Sequence, residues 1–110
     1  MKTTSTLALA AIGSLVLSVG AVAADEKSAE RVLKANDCAK CHTVSREKDG
    51  PPYKKIAEKY KGKADGEQQL LAHLMSEPMV KVDGKDEKHK KIAVDSQAEL
   101  VNLVQWILTR

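Results

Sequence analysis

The sequence predicts an all-α domain of about four short helices. Apolar residues recur at helical spacing in four stretches. Glycine, proline and an Asn-Asp pair separate those stretches. No segment shows the period-two alternation of a half-buried strand.

The first helix is expected over 29–35, with Ser28 as its N-cap and Ala29, Val32 and Leu33 on one side. Asn36-Asp37 breaks it. Gly50-Pro51-Pro52 forbids a regular element, because each proline fixes φ and lacks a donor. A second helix follows over 53–60, with Tyr53, Ile56, Ala57 and Tyr60 at helical spacing and Gly62 as its stop. Asp65-Gly66 opens a third through Leu70, Leu71, Leu74 and Met75, and Pro78 ends it. Residues 80–91 read as a Lys/Asp/Glu-rich loop around Gly84. Ser96-Gln97-Ala98-Glu99 fits a capping box for the last helix, whose stripe is Leu100, Leu103, Val104, Ile107 and Leu108. Trp106 lies three residues after Leu103 and is expected in the seam between the first and last helices, near Val32 or Leu33.

With 110 residues the chain has room for one domain. Its 18 Lys+Arg against 15 Asp+Glu give a net charge of only +3, which argues against nucleic-acid binding. Tyr53, Tyr60 and Trp106 are the only aromatic residues apart from histidine, a poor core for a domain this small. A staple or a bound group is therefore expected.

Residues 3–24 carry no charge, with Lys2 before them and Asp25-Glu26 after. Residues 7–19 are largely apolar, and Ala21-Val22-Ala23 supplies the small residues that a signal peptidase reads. The expectation is a signal peptide over 1–23, cleaved after Ala23, and a single domain over 24–110 in the bacterial periplasm. An uncleaved anchor is the alternative; the segment is rich in Ala, Gly, Ser and Thr, and its far end meets acidic residues rather than a basic cluster. The remaining chain shows no other membrane segment.

Cys38-Ala39-Lys40-Cys41-His42 carries the chemistry. C-x-x-C-H is the attachment pattern of haem c. Two thiols three residues apart add to the two vinyl groups of one porphyrin edge, and the following histidine is held under the iron as proximal ligand. A C-x-x-C redox pair would need a βαβ context that this chain does not show. A zinc site would need a fourth ligand at finger-like spacing. One covalent haem through Cys38 and Cys41, ligated by His42, also supplies the missing apolar body.

With this motif in place the chain resembles a small class I cytochrome c of the short bacterial kind. The likeness rests on the helix before the motif, on Gly50-Pro51-Pro52-Tyr53 with the helix after it, and on Ala93-Val94 with the last helix and its Trp106. It implies a cytochrome c fold in which the first and last helices cross beside the haem. It also implies that the carbonyl of Pro51 accepts a hydrogen bond from His42.

The resemblance places a distal Met in the loop before the last helix, and this loop has none. His89 falls almost at that position and is the expected distal ligand; Met79, after Pro78, is the alternative. The implied function is single-electron transfer, not enzymatic catalysis, at a potential below that of His/Met relatives, with redox proteins as partners and a monomer or weak dimer as the working form. Lysines 40, 48, 54, 55, 59, 61 and 63 could steer acidic partners or simply confer solubility. Other readings are small-ligand sensing, weak peroxidase activity, or service as the haem subunit of a larger oxidoreductase.

Overall fold

The structure is a computed structural model that describes residues 13–14 and 23–110. The expected signal peptide falls almost wholly outside the described residues. Among the described residues four helices form: α1 Glu26–Ala35, α2 Tyr53–Lys61, α3 Gly66–Met75 and α4 Gln97–Leu108. A single 3₁₀ turn, Cys38–Lys40, follows α1. Among the described residues no helix is long and apolar enough to cross a membrane.

The last helix is the hub. α4 packs against α1, α2 and α3, and its Leu100, Leu103 and Val104 are almost wholly sequestered. Each such side chain contributes about 1.5–3 kcal/mol by leaving water. The Ser96 hydroxyl accepts the Glu99 amide at 3.2 Å, so the expected cap forms. Its reciprocal half is displaced: the Glu99 carboxylate accepts the amide of Asp95, and its other oxygen accepts from Arg31 of α1 at 2.7 Å. The cap of α4 thus doubles as a tie to α1.

α1 starts earlier than expected. Asp25, not Ser28, is its N-cap, accepting the Ser28 amide at 3.2 Å. The reason is tertiary. Asn102 of α4 accepts the Asp25 amide at 2.7 Å and donates to the Asp25 carbonyl at 2.9 Å, which fixes the chain one turn upstream of Ser28. Trp106 is buried as expected, and its ring meets Tyr53 of α2 edge-on, with centroids 5.3 Å apart. It therefore seals α4 against α2. Arg110 lies over the same ring at 4.3 Å. The indole Nε1 is buried without a partner.

The corner between α2 and α3 depends on a glycine. A Cβ on Gly66 would sit 2.0 Å from the carbonyl oxygen of Tyr60, so no other residue allows this approach.

Residues 79–88 correct the sequence reading. They are not a loop but an antiparallel hairpin, β1 Met79–Val82 with β2 Lys85–Lys88, pairing Met79 with Lys88 and Val82 with Lys85. Asp83 (φ 48°) and Gly84 (φ 75°) form the two-residue turn, both in the left-handed region that Asp-Gly hairpin turns use. β2 is exposed along its whole length, so no apolar alternation marks it. Main-chain pairing and turn chemistry make this hairpin, and both are invisible to a hydropathy pattern. The all-α class stands, with this hairpin added between α3 and α4.

Candidate functional site

Asp37, in the left-handed conformation (φ 55°), turns the chain sharply out of α1. The 3₁₀ turn then closes through Cys41 and His42 amides donated to the Cys38 carbonyl, the latter at 3.0 Å. This winding brings Cys38, Cys41 and His42 to one wall of a cavity of about 600 Å³. Both thiols are half-buried, and burial pushes the Cys38 thiol up, with Lys90 opposing.

The Gly-Pro loop fixes the imidazole. His42 Nδ1 donates to the Pro51 carbonyl at 2.7 Å, the bond that the family resemblance implied. That bond sets the tautomer and leaves Nε2 free to ligate. The amide of Gly50 donates to the Cys41 carbonyl at 2.8 Å, drawing the loop against the motif. A Cβ on Gly50 would lie 2.6 Å from His42 Cε1 and 2.9 Å from Nδ1, so the glycine gives the ring its place. Tyr53 stacks on His42, with centroids 5.5 Å apart. Burial holds the Tyr53 hydroxyl well above its usual value, so it stays protonated.

His89 stands on the opposite wall, one residue beyond β2. Its amide donates to the Pro78 carbonyl at 2.8 Å, extending the hairpin by one rung. Its Nδ1 donates to the Lys90 carbonyl at 2.9 Å, which again leaves Nε2 free. The His42 and His89 ring centroids are 6.2 Å apart. His73 of α3 meets His89 edge-on at 5.0 Å and lines the same cavity. Burial lowers both His89 and His73, favouring the neutral imidazole that can bind a metal. Met79, by contrast, is 59% exposed on β1 and takes no part in the cavity wall.

The rest of the lining is mainly apolar, with Ile56, Leu70, Leu74, Ile92 and Leu103 among it. Two thiols three residues apart, an imidazole with an oriented free nitrogen, and an apolar cavity of ligand size fit a covalent haem.

The cytochrome c family profile matches residues 27–110. The chain belongs to the cytochrome c family. Cytochrome c-551 of Pseudomonas aeruginosa is 36% identical over 74 residues, 67% of either chain. Among solved structures, the class 1 cytochrome MtoD from Sideroxydans lithotrophicus ES-1 is 48% identical with a TM-score of 0.74, covering 79% of this chain and 97% of its own. Wild-type Nitrosomonas europaea cytochrome c552 is 29% identical with a TM-score of 0.58, covering 73% and 96%. This cytochrome is thus a class I electron carrier that works with redox partners, and its cofactor is one haem c held through Cys38 and Cys41.

Asn36 is the residue whose role sequence reading missed. Its side-chain amide donates to the carbonyls of Val32 and Ala93, each at 2.9 Å, and accepts the Ala93 amide at 2.8 Å. The sequence shows only a helix breaker there, because the partner lies 57 positions away.

Proposed function

We propose that this cytochrome carries single electrons in the periplasm, exported by a signal peptide over 1–23, with His42 and His89 as the two axial ligands of its haem iron. The spacing of the two rings supports the ligand pair. An imidazole nitrogen binds a first-row metal at about 2.0 Å and lies roughly 1.1 Å from its ring centre, so two rings across one metal sit about 6.2 Å apart. The observed centroid separation is 6.2 Å. Both rings also have Nδ1 tied to a backbone carbonyl, so each presents Nε2.

Haem supplies the Fe(III)/Fe(II) couple when bound. The chain's part is to orient both imidazoles, and to line the cavity with apolar side chains that exclude water. Two nitrogen ligands stabilise the oxidised state more than a nitrogen–thioether pair does, so the potential is expected below that of His/Met relatives. With both positions filled by protein, small molecules are shut out and outer-sphere transfer remains. A monomer or weak dimer suits a carrier that must dock and leave.

The near-infrared spectrum of the oxidised protein tests the ligand pair. The weak band that accompanies Met–Fe(III) bonding should be missing, and His89→Ala should open the site to imidazole or carbon monoxide. An unchanged spectrum in His89→Ala, with an altered one in Met79→Ala, would move the ligand to Met79. Prompt carbon monoxide binding by the untreated reduced protein would instead support a ligand-binding role.

A further inference from the structure

The turn that bears Cys38 and the segment that follows His89 are joined through one buried side chain. Asn36 is 4% exposed and sits two residues before Cys38. Its amide pairs with Ala93 in both directions, as one strand residue pairs with another, and its second amide hydrogen goes to Val32. Its own carbonyl accepts from the Lys90 ammonium at 3.3 Å. A buried primary amide is costly unless its hydrogen bonds are made, and here both donors and the acceptor are used. An apolar residue of similar size would fill the same space without reaching the Ala93 backbone. The pairing therefore specifies where residue 93 lies.

Residue 93 is one end of a short tether. On the near side, the His89 amide is held by the Pro78 carbonyl at 2.8 Å. On the far side, the Ile92 amide donates to the Leu74 carbonyl at 3.0 Å, and Ala93 is clasped by Asn36. Residues 90 and 91 between these anchors are exposed. Ile92 after them is buried in the core, so its side chain and the hydrogen bonds at the two ends together determine how far His89 can swing from His42.

We propose that Asn36 is a positioning residue for the distal ligand, holding His89 at its distance from His42 by clamping Ala93 to the turn that carries the haem-attachment cysteines. The proposal rests on His89 being that ligand. Asn36 touches neither histidine; it acts through the 90–93 segment.

Carbon monoxide binding to the reduced holoprotein tests it, since at saturating gas the rate reads how often the distal ligand lets go. Asn36→Ala should raise that rate at least tenfold. Asn36→Asp keeps the size and the Ala93 acceptor but turns both donors into repulsions, so it should do the same; whichever variant matures with haem is judged by that criterion. The Ala93 amide should also exchange with deuterium at least tenfold faster. Val104→Ala, a core truncation in α4 away from the cavity, lowers stability without touching the clamp and should leave the rate within twofold. A rate within twofold of wild type in the Asn36 variants, or an equal rise in Val104→Ala, overturns the proposal. His89→Ala is run in parallel. Fast binding there with unchanged Asn36 variants refutes the clamp alone, while slow binding there refutes the ligand assignment itself.

Discussion

Gly50→Ala puts one methyl group where the proximal histidine needs open space. The added carbon would stand 2.6 Å from His42 Cε1, 2.9 Å from Nδ1 and 3.1 Å from the Cys41 carbonyl oxygen. Comfortable contact between such atoms is about 3.5 Å, so the ring must shift by roughly 0.9 Å. The Nδ1 bond to Pro51 is 2.7 Å long. A shift of that size away from the loop stretches it to about 3.6 Å, beyond hydrogen-bond range. Losing the bond costs about 1 kcal/mol, and forcing a methyl into a filled site adds about 1–3 kcal/mol. The expected loss is therefore about 2–4 kcal/mol, read as a lower denaturant midpoint of the oxidised holoprotein with unchanged slope. An imidazole without its carbonyl partner is also a weaker electron donor, so the reduction potential should rise. Gly62→Ala is the internal control. Its backbone is helical and nothing lies within 4 Å of the new carbon, so it should stabilise by about 0.4–1 kcal/mol. Gly50→Ala within about 0.5 kcal/mol of wild type, at an unchanged potential, would refute this account of the loop.

Trp106→Ala should cost about 3–5 kcal/mol in equilibrium unfolding. Trp106→Phe should cost under about 1.5 kcal/mol, because it keeps most of the packing on Tyr53 and removes an indole N–H that has no partner. Gly84→Val, at φ 75°, should disrupt the hairpin turn and speed amide exchange across Met79–Lys88, with the exchange at Leu103 unaltered. The Glu99 carboxyl is held below its ordinary value by the Arg31 guanidinium and the Asp95 amide. Its stabilising effect is complete above the unfolded-state value of about 4.3 and fades as pH falls through the lower folded-state value. The stability gap between wild type and Glu99→Gln should accordingly narrow below about pH 4, and a gap constant from pH 6 to pH 3 would remove Glu99 from the acid response.

The four helices were legible because each carries its own apolar face at helical spacing, so the information is local. Ile56, Ala57 and Tyr60, or Leu100, Leu103 and Val104, declare a face without reference to the rest of the chain. Cys38, Cys41 and His42 were legible for a similar reason, since attachment to one porphyrin edge requires those types within five residues. What stayed hidden depends on partners far away or on main-chain bonding. The start of α1 is set by Asn102, 77 residues on. The hairpin has polar, exposed residues throughout β2, and its only sequence signal is Asp83-Gly84, which was read as part of a loop. The place of His73 beside the cavity was hidden because its neighbour His89 arrives from the end of the hairpin.

The closure of α1 on α4 also orders assembly in time. Asp25 exchanges two hydrogen bonds with Asn102, and Arg31 gets Glu99, so the opening helix lacks its tertiary support until α4 is in place. Until α4 docks, the attachment motif lies beside a ten-residue helix too short to persist alone. The thiols therefore remain on a pliable segment until then. Once α4 docks, that freedom ends, and a motif still empty at that moment must be reopened before it can be filled.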